Sequence, residues 1–312
     1  MSIGEAPGKV ILLGEHAVVH GHPALAVPVN QLRARAEFTP APSVAQQDLR
    51  IEAPDIGLSM WLREMSPDTA IPTALRLAQS ALRLANLPAG TLHLSSAIPV
   101  ASGMGSGAAV TLAIVRALSA LAGVPLPLER QSQIVFEVDK IHHGTPSGID
   151  NTVITYGVPI RFQRDLPPER LHPGASLLLL IADSGVASPT RVAVGGVRER
   201  LRESPVETNA IFQAIHTLVD RGTAAVKQGR LDELGSCMAE NHIQLSRLGV
   251  SLPALDRLVQ AASLAGAHGA KLSGAGLGGN VIALVSLASA PAVAQAVHEA
   301  GAVRILQTEV AA

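Results

Sequence analysis

The chain has 312 residues, with 24 Lys+Arg against 25 Asp+Glu and a formal net charge of -1. That balance gives no overall attraction to nucleic acid or to an anionic membrane, and aromatic residues at 2% offer little for stacking single-stranded bases. Hydrophobic residues at 47% against 16% charged exclude a disordered chain, and the length suggests two domains. The single cysteine, Cys237, excludes an internal disulfide or a multi-cysteine metal site and reads as an inert buried thiol. The first residues lack a signal-peptide core, and no apolar run reaches the roughly 18 residues of a membrane span, so a soluble cytoplasmic protein is expected.

In chain order, residues 8–13 (GKVILL) read as a strand and residues 73–86 as a helix with Leu75, Ala78 and Leu82 on one face. A strand at 91–98 precedes a long, mostly buried helix at 107–122, which carries one arginine and stops at Gly123. A helix at 129–142 follows. The apolar run 176–183 is a buried strand. Helical patterns come at 189–203, 206–228, 230–247 and 253–267, then a strand at 280–286, a helix at 290–300 and a strand at 302–308. The proline-rich stretch 165–174 (DLPPERLHPG) is the linker candidate and divides the chain into 1–170 and 171–312. Strands and helices lack a steady alternation, which favours an α+β class.

Four segments carry chemistry. Residues 99–109, PVASGMGSGAA, stand between a strand and the long helix. Gly103, Gly105 and Gly107 let the backbone turn tightly, and the unpaired N–H groups of the first helical turn then favour an anion, naturally a phosphate. The alternative is a plain strand-to-helix turn. There is no lysine for a Walker A loop. Gly103, Gly105 and Ala108 match the dinucleotide fingerprint literally, but Pro99 and Ser102 intervene and the first acid downstream is Glu129. Residues 271–280, KLSGAGLGGN, are a second glycine segment: either a close backbone approach to a ligand or only a flexible loop. In residues 142–151, HHGTPSGIDN, Asp150 follows turn-forming Gly144, Pro146 and Gly148, as a base, a metal ligand, or an Asx turn or helix cap. Residues 7–21, PGKVILLGEHAVVHG, place Lys9 at the start of a strand and Glu15-His16 after it. His16 and His20 at i, i+4 have the spacing of a metal pair but lack the HExxH context.

Together these segments resemble the small-molecule kinases that include galactokinase, homoserine kinase, mevalonate kinase and phosphomevalonate kinase, the GHMP kinases. PVASGMGSGAA is similar to their phosphate motif PxxxGLGSSAA, and KLSGAGLGGN to KxTGAGxGG. Residues 6–30, HHGTPSGIDN, 183–198 and 240–251 resemble the mevalonate kinase branch in particular, so the likeness runs from residue 6 to about 285. It implies a ribosomal protein S5 domain 2-like N-terminal domain and a ferredoxin-like C-terminal domain with the active site in a cleft between them. The implied reaction is ATP-dependent phosphorylation of the primary hydroxyl of mevalonate. The likeness allows a homodimer, which no sequence feature specifies.

The resemblance also implies roles. Pro99, Gly103, Met104, Gly105, Ser106, Gly107 and Ala108, with Gly274 and Gly276, would cradle the nucleotide phosphates, and Gly278 would help close over them. Asp150 would accept the hydroxyl proton and Lys9 would supply positive charge. Lys9, Glu15, His16, Asp150 and Thr190 would face the substrate. Mg2+ would be held by Ser106 and Asp139. Two departures stand out: Asp139 replaces the family's glutamate, and Gly107 replaces the second serine of GSSAA. Asn280 also stands where relatives carry a small residue or cysteine. A sister kinase acting on phosphomevalonate or another hydroxyl, or an inactive nucleotide- or metabolite-binding homologue, are the competing readings.

Overall fold

The computed structural model describes residues 1–41, 48–99, 102–143 and 146–312, without the side chains of His142 and His143. It divides into two compact units. The first comprises Met1–Gly8, Gln31–Val100 and Gly105–Gly157, and the second Lys9–Asn30, Ala101–Met104 and Val158–Ala312. Strands β1 (Ser2–Leu13) and β2 (Ala24–Pro40) pair with each other, and each contributes one end to each unit. The single cut expected after residue 170 therefore does not coincide with this division. The reason is visible in the second unit, where Ile11 and Ser273 exchange two hydrogen bonds across 262 residues.

In the first unit, β3 (Leu49–Ala53), β4 (Leu58–Trp61) and β5 (Gly90–Ser96) join the C-terminal half of β2 in the order β4-β3-β5-β2. The pairing sets Phe38 opposite Leu92 and Leu92 beside Ile51, a fully buried row. Helices α1 (Ala70–Ala81), α2 (Ser106–Ala122), α3 (Leu128–His143) and α4 (Ile149–Tyr156) pack on one another. α1 stops at Ala81 rather than 86, because Arg83 turns the chain into the left-handed region at φ 55°. The middle of α2 is buried from Thr111 to Val115 and again at Ala117 and Leu118, as befits the central helix of its layer, while Ala120 near its end is exposed. β1 lies directly on it: a Cβ at Gly4 would stand 2.1 Å from the Ala113 carbonyl oxygen. The one arginine of α2, Arg116, donates to the carbonyls of Glu5 (2.7 Å) and Thr155 (2.9 Å) and so ties β1 and α4 to the helix.

In the second unit, β6 (Ile160–Phe162) pairs with Ala24–Ala26 of β2, and β7 (Glu169–Arg170) with β6. β8 (Leu177–Asp183) leads into α5 (Thr190–Glu203), α6 (Pro205–Gln228), α7 (Leu231–Arg247) and α8 (Pro253–Leu264). Then come β9 (Gly269–Ser273), β10 (Asn280–Val285), α9 (Ala290–Glu299) and β11 (Arg304–Val310). The antiparallel order β11-β8-β10-β9 is the 4-1-3-2 order of a ferredoxin-like sheet. Mixed antiparallel sheets with separate helical layers make the protein α+β, as expected.

Candidate active site

Several sequence segments expected to act together converge within the second unit. The Lys9 backbone N–H donates to the Met104 carbonyl (3.0 Å), and the Asn280 amide donates to the Ser102 carbonyl (2.6 Å). Gly103 and Gly274 face each other closely enough that a Cβ on Gly103 would stand 4.0 Å from the Gly274 Cα. Residues 102–104 are thus clasped by Lys9, well inside β1 rather than at the strand's start as expected, and by Asn280, the first residue of β10. Lys9 is itself 3% exposed. Gly276 sits where only glycine fits: φ is +76°, and a Cβ would meet the Val250 carbonyl oxygen at 2.1 Å. The Ser188 hydroxyl donates to the Gly276 carbonyl (2.7 Å), which brings Thr190, exposed at the start of α5, two residues from this loop.

The loop after β1 is anchored from within. Glu15 is fully buried and forms an ion pair with fully buried Lys271, while the Asn241 amide lies 3.4 Å from its other oxygen. Lys271 also donates to the Leu272 carbonyl at 2.5 Å. Burial pushes the Glu15 carboxyl up and the Lys271 ammonium down, each against the pull of the other, and the Lys9 charge also favours ionised Glu15. Both carboxylate oxygens of Glu15 are engaged, by Lys271 and Asn241, and His16 follows it in the chain. That residue has φ 62° and is 6% exposed; its Nε2 meets the Ala275 carbonyl at 2.8 Å. Burial, the largest cause, lowers its pKa to about 4. A neutral ring donating from Nε2 leaves Nδ1 as a bare acceptor, and that atom is buried with no hydrogen-bond partner among the described residues.

The remaining expected site residues belong to the first unit and are described within it. Gly105, in the left-handed conformation, caps α2 with no side-chain hydrogen bond, so backbone N–H groups of the first turn are the donors offered there. Ser106 Oγ lies 3.4 Å from the Ile98 carbonyl, and a Cβ on Gly107 would stand in open space. Pro99 is half-buried, and Ala108 is buried in α2. Asp150 is not a cap: Gly148 caps α4, and Asp150 occupies the first turn, where an acid complements the helix dipole. The next residue, buried Asn151, donates to Ser132 Oγ (2.8 Å) and pins the start of α4 to α3. Asp139, on α3, is 9% exposed. Among the described residues no group of three or more His, Cys, Asp and Glu side chains is placed to hold a metal ion. Ser106 and Asp139 are two hard oxygen donors, a set that suits Mg2+ bound mainly through water and substrate phosphates. Gly144 and Thr145 of the aspartate segment lie outside the described residues, as do Val100 and Ala101 of the phosphate segment.

Sequence reasoning missed Lys271, Asn241 and Ser273 as parts of this assembly and had no role for Asn280. The sequence signal was the lysine opening KLSGAGLGGN, whose placement in a strand interior demands a buried counter-charge.

This arrangement has relatives. Residues 70–158 match the model of the GHMP kinases N terminal domain and residues 223–303 that of the GHMP kinases C terminal. The chain is 35% identical over 301 residues to mevalonate kinase of Pyrococcus furiosus, covering 90% of this chain and 88% of that protein. It is 34% identical to mevalonate kinase of Aeropyrum pernix, at 89% and 87% coverage. Among solved structures, L. major mevalonate kinase in complex with R-mevalonate superposes with a TM-score of 0.84 at 28% identity, covering all of this chain and 96% of that one. Methanococcus jannaschii mevalonate kinase superposes at 0.86 and 25%, covering 99% and 98%. The chain belongs to the GHMP kinase family, enzymes that move the terminal phosphoryl group of ATP to a small molecule. Its relatives here are mevalonate kinases.

Proposed function

We propose that the protein phosphorylates the primary hydroxyl of mevalonate with ATP, giving 5-phosphomevalonate and ADP for isoprenoid precursor synthesis in the cytoplasm. The observation that carries this reading is the double clasp on residues 102–104 beside Gly274, joined to a buried His16 with one unpartnered ring nitrogen. Phosphoryl transfer is mostly positioning and charge neutralisation. Backbone N–H groups from Gly103 to Ala108 hold the phosphates, the dipole of α2 adds to them, and Gly274 and Gly276 keep the backbone close. Asp150 accepts the hydroxyl proton as the oxygen attacks the γ-phosphorus, and Lys9 lends positive charge to the transferring group. His16 Nδ1 accepts a substrate hydroxyl, Glu15 acts through His16, and Thr190 donates to the substrate. Ser106 and Asp139 would hold Mg2+, which neutralises phosphate charge when bound. No helix among the described residues is long and apolar enough to cross a membrane.

The test is a coupled ADP-release assay with Mg-ATP and mevalonate, run beside phosphomevalonate, galactose and homoserine, with the product identified by mass and phosphorus NMR. Mevalonate-dependent turnover to the 5-phosphate is expected. Asp150→Asn is expected to lower kcat at least a hundredfold with little change in KM. ATP binding without ADP release on any of the four substrates would overturn the reading.

A further inference from the structure

His16 and His20 do not form the metal pair that their spacing suggests, because each ring is engaged differently: His16 with the Ala275 carbonyl, His20 stacked on Phe212 at 4.7 Å. A different pair forms in the same unit. His22, just beyond the 3-10 turn Ala17–His20, meets His216 of α6 with their Nδ1 atoms 3.2 Å apart and the rings nearly perpendicular. Phe212, His216 and Asp220 share one face of α6 at i, i+4, i+8. Phe212 packs against the rings of both His20 and His22. On the far side of the His216 ring, Asp220 Oδ2 lies 3.4 Å from Nε2, and Arg161 holds the same carboxylate through Oδ1 at 2.8 Å.

This carboxylate decides the chemistry of the pair. Asp220 favours the proton on His216 Nε2, which leaves His216 Nδ1 with a lone pair. A neutral His22 donates its Nδ1–H into that lone pair. If the His22 proton moves through solvent to its own Nε2, two lone pairs face each other across the gap. Imidazole nitrogens about 2.0–2.1 Å from a tetrahedral ion stand roughly 3.3–3.4 Å apart, so the nitrogens need separate by only a few tenths of an ångström, while the rings turn by roughly 35° each so that both lone pairs point to one ion beside the N···N line. Neutral imidazole is the form that ligates. Two nitrogen donors favour zinc-class ions over magnesium.

We infer that His22 and His216 form a binding site for a divalent transition-metal ion of the zinc class, with water completing its coordination and Asp220 fixing the His216 tautomer from outside. Such an ion staples the segment between β1 and β2 to α6.

The test uses the full chain, stripped with a chelator and exchanged into magnesium-free buffer. Co2+ is titrated by its visible absorption and Zn2+ by calorimetry, and the ring nitrogens of His22 and His216 are followed by NMR. The expected result is one equivalent bound with a Kd in the micromolar range and both Nδ1 resonances shifted. His22→Gln and His216→Gln are each expected to weaken binding at least thirtyfold, and Asp220→Asn by roughly tenfold or more. His20→Gln should retain the affinity. No binding up to millimolar Co2+ and Zn2+, or binding unchanged in both folded histidine variants, overturns the site.

Discussion

His16 is placed at two kinds of cost. Its φ of 62° lies in the left-handed region that residues with a Cβ rarely adopt, and its ring is buried with Nδ1 unpartnered. The pH consequence follows from the depressed pKa. In the unfolded chain the imidazole titrates near 6.5, and in the folded one near 4, so protons bind preferentially to the unfolded state between those values. Stability from this residue is complete above the unfolded pKa and is lost as pH falls towards 4, by roughly 3 kcal/mol in all. Urea titrations at pH 7, 5.5 and 4.5 should show that slope, and His16→Asn should flatten it; an equal slope in the variant would assign the loss to other groups. At this scale sequence motifs reached Lys9, His16, the phosphate glycines and Asp150 because each sits in a local pattern. Lys271 and Asn241 were not reachable that way, because their partner Glu15 lies 256 and 226 residues away.

Among the elements, the contact between β1 and α2 leaves no room for a side chain at Gly4. Gly4→Ala drives a methyl into the helix backbone, and a loss of about 3 kcal/mol or more is expected in denaturant melts. The Glu15–Lys271 pair, which locks the loop after β1 to β9, makes a different prediction. Lys271→Met strands a buried carboxylate and should cost about 3–5 kcal/mol, whereas joining it with Glu15→Gln should recover most of that. A fully additive double variant would mean that the two side chains act independently. Asn280→Ala removes the amide hydrogen bond to the Ser102 carbonyl. It should raise KM for ATP roughly three- to tenfold, one hydrogen bond's worth, while an unchanged KM would leave Asn280 a packing residue. Elements with a strong helical period were legible from sequence almost to their ends. α8 nonetheless stops at Leu264, ahead of Gly266 at φ 93°, rather than at 267. β2 was not read as a strand. Its first half is continuously buried and contains Pro28, and only Leu32, Ala34, Ala36 and Phe38 show the alternation of a half-covered strand. α4 was hidden by the turn residues that precede it.

For the molecule as a whole, the α+β class and a two-part organisation were legible from composition and element order, but membership of the parts was not. A proline-rich linker marks where the chain pauses, whereas the division into units follows long-range partners such as Ile11 and Ser273. Biosynthesis feels that difference. Residues 9–30 leave the ribosome early, yet partners such as Ser273 emerge 262 residues later, which at 5–20 residues per second is a wait of roughly 10–50 s. During that interval the apolar run from Val10 to Leu13 and the unpaired Glu15 have no finished core to enter. Slowed translation or added chaperone is therefore expected to raise the yield of active enzyme, which expression trials with a coupled ADP-release readout check. A gene cut at the junction of residues 157 and 158 would part the second unit from its own first strand residues, so the two halves would have to be made together to recover activity.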